Sequence, residues 1–229
     1  MTPAEKSGAK YVVMPHGGSA GGAGRTTTTI EPDATVSATA DVADSARLGP
    51  GTRVWHLAQV GDDAVIGRSC VLGRGAYVGP GVVVGDHVKI QNYALVYQPA
   101  TLGDGVFVGP AAVLTNDLNP RAVDVDGRPK SSAGWTPVAV HVREGASLGA
   151  RSVCVAPVTV GRWAMVGAGA VVVADVPDFA LVVGVPARRV GWVGRAGFPL
   201  RRVDDATWQC DRTGDRYTEE EGALHEILA

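Results

Sequence analysis

Three histidines, His56, His87 and His141, are the residues in the middle of this chain best suited to moving protons or holding a metal. Catalytic zinc needs three protein ligands at one point, and these three lack a close pair, so no metal site is expected. No nucleophile-elbow motif supports a Ser-His-Asp arrangement, and no Walker-type loop is present to cradle phosphate. What remains is a set of polar residues at a fixed interval. His56, Arg74 and Asn92 are eighteen apart, preceded by Trp55, Gly73 and Gln91; Pro80, Gln98 and Asn116 are also eighteen apart, preceded by Gly79, Tyr97 and Thr115. His56 could accept a proton and the amides could orient a substrate, provided the chain brings residues eighteen apart together.

It does so through a repeat of six. From Ile30 to Leu114 every sixth residue is aliphatic, a second column four places on is nearly all small, and a third, one place on, is Gly at 49, 61, 67, 73, 79, 85, 103 and 109. So short and strict a period means a solenoid. Three short strands close a coil of about eighteen residues, stacked roughly 4.8 Å apart. The aliphatic and small columns point inward, into a tube too narrow for rings, in keeping with 45% hydrophobic but only 6% aromatic residues. Glycine is expected at the corners because it takes positive φ at no steric cost. Two corners then carry polar residues, and the third keeps Gly49, Gly67, Gly85 and Gly103.

The repeat stops at a Pro- and Gly-rich stretch, 119–141, which must leave the coil as a loop. Loops of that length are uncommon unless they cover a site or are disordered. The period resumes at Val142 and ends near 177. The expected organisation is a mobile tail over 1–29, a solenoid over 30–177 with the loop at 119–141, and a cap and tail over 178–229 ending in a small hairpin or short helix. With 21 Lys and Arg against 23 Asp and Glu, a net charge of -2 argues against nucleic-acid binding. No apolar run is long enough to span a membrane. Cys70 and Cys154 fall on inward columns and Cys210 stands alone, which points to reduced thiols and a cytoplasmic location.

The hexad, [LIV]-[GAED]-x-x-[STAV]-x over 30–118 and 142–177, resembles that of the hexapeptide-repeat acyltransferases. The resemblance implies an all-β, left-handed parallel β-helix. Transfer from acetyl-CoA asks for a groove, a placed nucleophile and oxyanion stabilisation. Gly149 and the run Gly167-Ala168-Gly169-Ala170 offer small outward residues for the groove, and Arg188 and Arg189 could meet cofactor phosphates. The alternative is that these residues only obey the repeat and solvate a cap.

A narrower likeness lies in RVWHLAQV (53–60), KIQNYALVY (89–97), GVFVGPAAVLTNDLNPRA (105–122) and ALVVGVPARRVGW (180–192). These strings resemble nucleotide-linked 3-amino-sugar N-acetyltransferases, nearest those acting on UDP-2-acetamido-3-amino-2,3-dideoxy-glucuronate in surface-polysaccharide synthesis. That family forms homotrimers, with acetyl-CoA and the nucleotide sugar between neighbours and no metal. The likeness implies that Asn116 lies beside the reacting amine, that Gln91 and Asn92 line the sugar-nucleotide pocket, and that Lys89 and Arg121 face diphosphate or carboxylate. It gives Trp55 and His56 as a WH pair, His56 being the candidate base where one exists. This chain reads KIQNY where the family often reads KIQNN. Each assignment has a structural competitor. Asn92 and Asn116 could cap stacked turns, His56 could pack, and Lys89 could be a solvated edge charge. Acylation of a dTDP-3-amino-3,6-dideoxyhexose or of a sugar hydroxyl, and a structural solenoid without ligand, are the alternative functions.

Overall fold

The computed structural model describes residues 29–131 and 135–227. All of the expected N-terminal tail but Thr29 lies outside the described residues, as do three residues of the loop. Strands of two or three residues recur at each aliphatic position. Each pairs in parallel with the strand eighteen residues away, Ile30 with Leu48 and Leu48 with Ile66. Three sheets result. The first runs from Thr29–Ile30 to Val158–Val160 and the third from Asp41–Val42 to Val171–Val172, seven strands each. The second has nine strands, from Thr35–Val36 to Arg188–Trp192. This is the expected all-β parallel solenoid, of about eight turns and consistent with the left-handed form.

From Ala46 onward the inward columns are buried: Leu48, Ile66, Leu72, Ile90 and Leu114 alternate with Ala58, Ala76, Ala94 and Ala112, while Ile30 on the first coil stays partly exposed. Each such aliphatic side chain contributes about 1.5–3 kcal/mol of burial. The fully buried aromatics, Phe179, Trp192 and Tyr217, all lie past the last regular coil, as the narrowness of the tube requires.

The reason given above for the corner glycines needs correction. Positive φ falls two places further on, at Gly51, Leu57, Asp63, Ser69, Gly75 and Gly81, as often at other residues as at glycine. The glycine column is set by close approach of the next coil. A Cβ on Gly67 would lie 2.5 Å from the carbonyl oxygen of Gly85, and one on Gly49 2.6 Å from the carbonyl carbon of Gly67. At three corners the residue one place after this column, which is glycine at 85 and 103 and Gln91 in the third case, has a further role. Asp86 Oδ1 accepts the Arg68 N–H at 2.9 Å, Asp104 Oδ1 that of Asp86 at 2.7 Å, and Asn92 Oδ1 that of Arg74 at 2.9 Å. This ladder satisfies corner donors that no strand reaches.

At the loop, Thr101 pairs with His141 across forty residues instead of eighteen, so an insertion leaves the third-to-first-sheet corner. Its tip is a tight turn in which Asp124 Oδ1 accepts the N–H groups of Asp126 and Arg128, both at 2.9 Å. Val138 N–H returns to the Asn116 carbonyl at 3.0 Å.

Past the coils, Ala180–Val183 pairs in parallel with Met165–Val166, and Arg188–Trp192 turns back antiparallel over it. The end of the chain is neither a lone hairpin nor a helix. Arg201–Arg202, Thr207–Gln209, Arg216–Glu220 and Ala223–Glu226 form a four-stranded antiparallel sheet. Tyr217 and Leu224 are buried while their neighbours are not, an alternation of period two that selects strand. Arg189 Nη1 to Glu219 at 3.1 Å and a bidentate Arg195–Glu226 pair at 2.6 and 2.8 Å fasten this sheet to the cap.

Candidate active site

Two clefts open on two corners. The first, about 320 Å3, lies between the second and third sheets and is lined by Trp55, His56, Val71, Gly73, Arg74, Gln91 and Asn92. The coil stacking builds it: Gly73 puts no side chain between Trp55 and Gln91, and a Cβ there would strike Asn92 Oδ1 at 2.6 Å. Trp55 stays 48% exposed at the edge. His56 Nδ1 lies 3.0 Å from Thr39 Oγ1 on the coil below, which leaves Nε2 for a ligand. Asn92 spends Oδ1 on the ladder, so the structural role weighed above is real; its Nδ2 has no partner among the described residues. Lys89 is exposed in the adjoining strand, in register between Val71 and Phe107.

The second cleft, about 630 Å3, lies under the loop at the third-to-first-sheet corner, with Asp117, Asn119, Arg121, Lys130, Trp135 and Val138 in its walls. Asn116 stands half-buried beside it; its Nδ2 donates to the Gln98 carbonyl at 2.7 Å, which leaves Oδ1 as an acceptor. Arg121 Nη1 donates to the Pro120 carbonyl at 3.0 Å.

The expected site residues are therefore divided. His56, Gln91 and Asn92, with Lys89 alongside, share one corner; Asn116 and Arg121 share another. One side of the coil separates them, six residues or at most ~20 Å of chain. Gly149 and Gly167 stack above Gln91 on the first-cleft corner, because their strands continue the second sheet through Phe107, Ser147 and Met165. Ala168 and Gly169 are exposed beside them. Of the cap arginines, Arg188 bonds the Ala187 carbonyl at 2.8 Å, whereas Arg189 is held by Glu219 and lies 4.0 Å over the Trp192 ring. Arg74, Lys130 and Trp135 were not among the expected site residues. Arg74 had a signal, its place between His56 and Asn92; the loop residues had none that spacing could reveal. His141 is apart from both clefts, its Nδ1 2.8 Å from Thr101 Oγ1 on the first sheet.

Burial pushes the Cys154 thiol up to about 12 and raises that of Cys70 as well, so neither solenoid cysteine is a nucleophile at neutral pH.

Fold and repeat together define a hexapeptide-repeat β-solenoid. Residues 81–116 match the bacterial transferase hexapeptide family (six repeats), and residues 59–97 and 142–174 match the hexapeptide repeat of succinyl-transferase. Over these repeats the chain is similar to the hexapeptide-repeat acyltransferases. It is 44% identical over 88 residues to a dTDP-3-amino-3,6-dideoxy-alpha-D-galactopyranose 3-N-acetyltransferase of Aneurinibacillus thermoaerophilus, covering 38% of this chain and 44% of that one. It is 40% identical over 81 residues to the serine acetyltransferase of Escherichia coli K12, covering 35% and 29%. The chain thus spans less than half the length of these curated relatives. In fold it is similar to LpxA, a UDP-N-acetylglucosamine acyltransferase from Bacteroides fragilis, with a TM-score of 0.56 at 16% identity over 72% of this chain and 62% of that one.

Proposed function

We propose that this protein is an acetyl-CoA-dependent N-acetyltransferase whose acceptor is the amino group of a nucleotide-linked sugar. The carrying observation is the pair of clefts on the two corners that depart from the repeat, one beside Asn116 and the other lined by His56, Gln91 and Asn92. Similarity to a nucleotide-sugar N-acetyltransferase supports this over the serine acetyltransferase likeness only by a few per cent of identity. The polar corners, not the repeat, decide the acceptor.

In this reading three chains pack around an axis, and the first cleft of each meets the second cleft of its neighbour, as in a closed ring of heterologous contacts. Acetyl-CoA lies along Gly149, Gly167, Ala168 and Gly169, with Arg188 toward its phosphates; Arg189 reaches a phosphate only by leaving Glu219. The loop over 119–141 covers the sugar. The neutral amine attacks the thioester carbonyl, the N–C bond forms as the C–S bond breaks, and the amine proton leaves with the thiolate. Asn116 Oδ1 accepts from the amine and fixes its approach. Both substrates belong to the cytoplasm, and the product feeds surface-polysaccharide assembly.

The finer acceptor is the 3-amino group of a UDP-2-acetamido-3-amino-2,3-dideoxy-glucuronate type of sugar, supported by the KIQN and LTNDLNPR strings and by Lys89 and Arg121 as cationic partners for its carboxylate or diphosphate. The second reading, a dTDP-3-amino-3,6-dideoxyhexose, is favoured by the activity named for the 44% identical relative. Steady-state kinetics on Asn116→Ala test the assignment: kcat/KM should fall tenfold or more, about 1.4 kcal/mol of transition-state stabilisation. Unchanged kinetics would remove Asn116 from the site.

A further inference from the structure

Three arginines of the solenoid occupy the same place in the hexad, two residues after the inward aliphatic. Arg68 and Arg162 are neutralised there by the ladder itself. The aspartate one coil on accepts the arginine N–H with Oδ1 and the guanidinium Nε with Oδ2, as Asp86 does for Arg68 (both bonds at 2.9 Å) and Asp178 for Arg162 (2.7 and 2.9 Å). At Arg74 the ladder residue is Asn92. Its Oδ1 still takes the backbone N–H at 2.9 Å, but an amide stands where the second carboxylate oxygen would be, so the charge is left without its usual counter-ion. No acidic side chain pairs with Arg74 among the described residues. Its guanidinium is oriented instead by a neutral group, Nε donating to the Tyr93 hydroxyl at 3.3 Å. The Tyr93 ring reaches that position because residue 75 is glycine; a Cβ there would meet the ring at 2.6 Å. Tyr93 is the residue at which this chain departs from KIQNN. The one arginine of the three whose ladder partner is an amide is also the one that lines a cleft.

We infer that Arg74, oriented by Tyr93, is the anion-recognising group of the first cleft, and that its ligand is a paired oxyanion of the nucleotide-sugar acceptor, a carboxylate or a diphosphate. The inference rests on the nucleotide-sugar reading given above. The planar guanidinium fork matches two oxygens at once, and with Nε engaged by Tyr93 the two terminal nitrogens remain for them. Asparagine rather than aspartate at 92 keeps the ladder and spares the charge.

Calorimetric titration of the full chain with UMP, UDP, UDP-glucose and UDP-glucuronate, with dTMP and dTDP in parallel, tests this without requiring turnover. Arg74→Gln should weaken the preferred anion about tenfold or more, the loss expected for a charge-assisted hydrogen bond. Asn92→Asp should do the same, by supplying the counter-ion that Asp86 gives Arg68 while leaving the ladder intact. Tyr93→Phe should cost a few-fold. Coenzyme A affinity and Tm should stay as in the wild type for all three. A gain of UDP-glucuronate over UDP-glucose that vanishes in Arg74→Gln identifies the carboxylate; a gain of UDP over UMP that vanishes identifies the diphosphate. Wild-type affinity in both Arg74→Gln and Asn92→Asp, or no binding of any of these nucleotides to the wild type, overturns the inference. Arg74-dependent binding without acetyl transfer to any amino sugar would instead remove the proposed reaction and leave Arg74's role standing.

Discussion

Asn92 and Gly73 show how single residues serve the coil and the cleft together. Asn92 closes a ladder bond, and the absence of a side chain at Gly73 leaves both that bond and the cleft room. Close approach, not backbone freedom, is the constraint at this column, and two alanine substitutions separate the causes. Gly67→Ala drives a Cβ into the next coil's backbone at 2.5 Å and should cost about 3 kcal/mol, the upper range for overpacking. Gly81→Ala meets nothing within 4 Å but must hold φ at +65°, for about 1 kcal/mol. Urea denaturation reads both, and equal losses would contradict the assignment. His56 is tested by pH: with Nδ1 turned to Thr39, a general base at Nε2 predicts that His56→Ala loses activity and the acid limb of the kcat/KM profile together, whereas a packing role predicts an unchanged profile. The sequence showed which residues occupy these columns. It could not show why, because the coil-to-coil distance that bars a Cβ and the register that turns Asp86, Asp104 and Asn92 into acceptors exist only once coils stack.

The terminal sheet is held to the cap by charge at two points, Glu219 and Glu226, and the first of them makes the contact sensitive to acid. Burial raises the Glu219 carboxyl, but hydrogen bonds from Arg189, Trp192 and Trp208 outweigh it and hold the group below the ordinary glutamate range. The unfolded chain therefore binds this proton more readily than the folded one. The stabilisation is complete above the ordinary glutamate pKa of about 4.3 and is lost as pH falls through the depressed folded value. Acid titration followed by tryptophan emission should show the cap and terminal sheet separating in that window, with Glu219→Gln weaker at neutral pH and no longer responsive there. The same acid midpoint in both proteins would refute the role. None of this was legible beforehand, since Arg189 and Glu219 are thirty residues apart and nothing in either local pattern marks the pair. By contrast the prolines and length of 119–141 pointed to a loop that could wall a site, although they did not show which side chains line the cleft beneath it. The strand character of the last segment was hidden because LHEIL suits either a short helix or an alternating strand.

Across the whole molecule, the repeat fixes a three-sided prism and leaves clefts at two of its corners. The third sheet, between the two clefts, turns Tyr77, Leu95, Val113, Val153 and Val171 outward in one column, an apolar face suited to contact between copies. If coenzyme A binds along the small residues of the upper coils, a hundredfold excess over Kd should raise stability by about 2.7 kcal/mol, and an unshifted Tm would favour a solenoid without ligand. Whether the two corners form one site across a subunit boundary is decided by complementation. Asn116→Ala chains and chains carrying Trp55→Ala with Gln91→Ala, each impaired about tenfold or more alone, are mixed, unfolded and refolded together, and acetyl-CoA consumption is measured with a UDP- or dTDP-linked 3-amino sugar. A closed trimer of heterologous contacts should recover about a quarter of wild-type activity, since one interface in four pairs two intact corners. No recovery, with both variants folded and trimeric, would contradict a shared site.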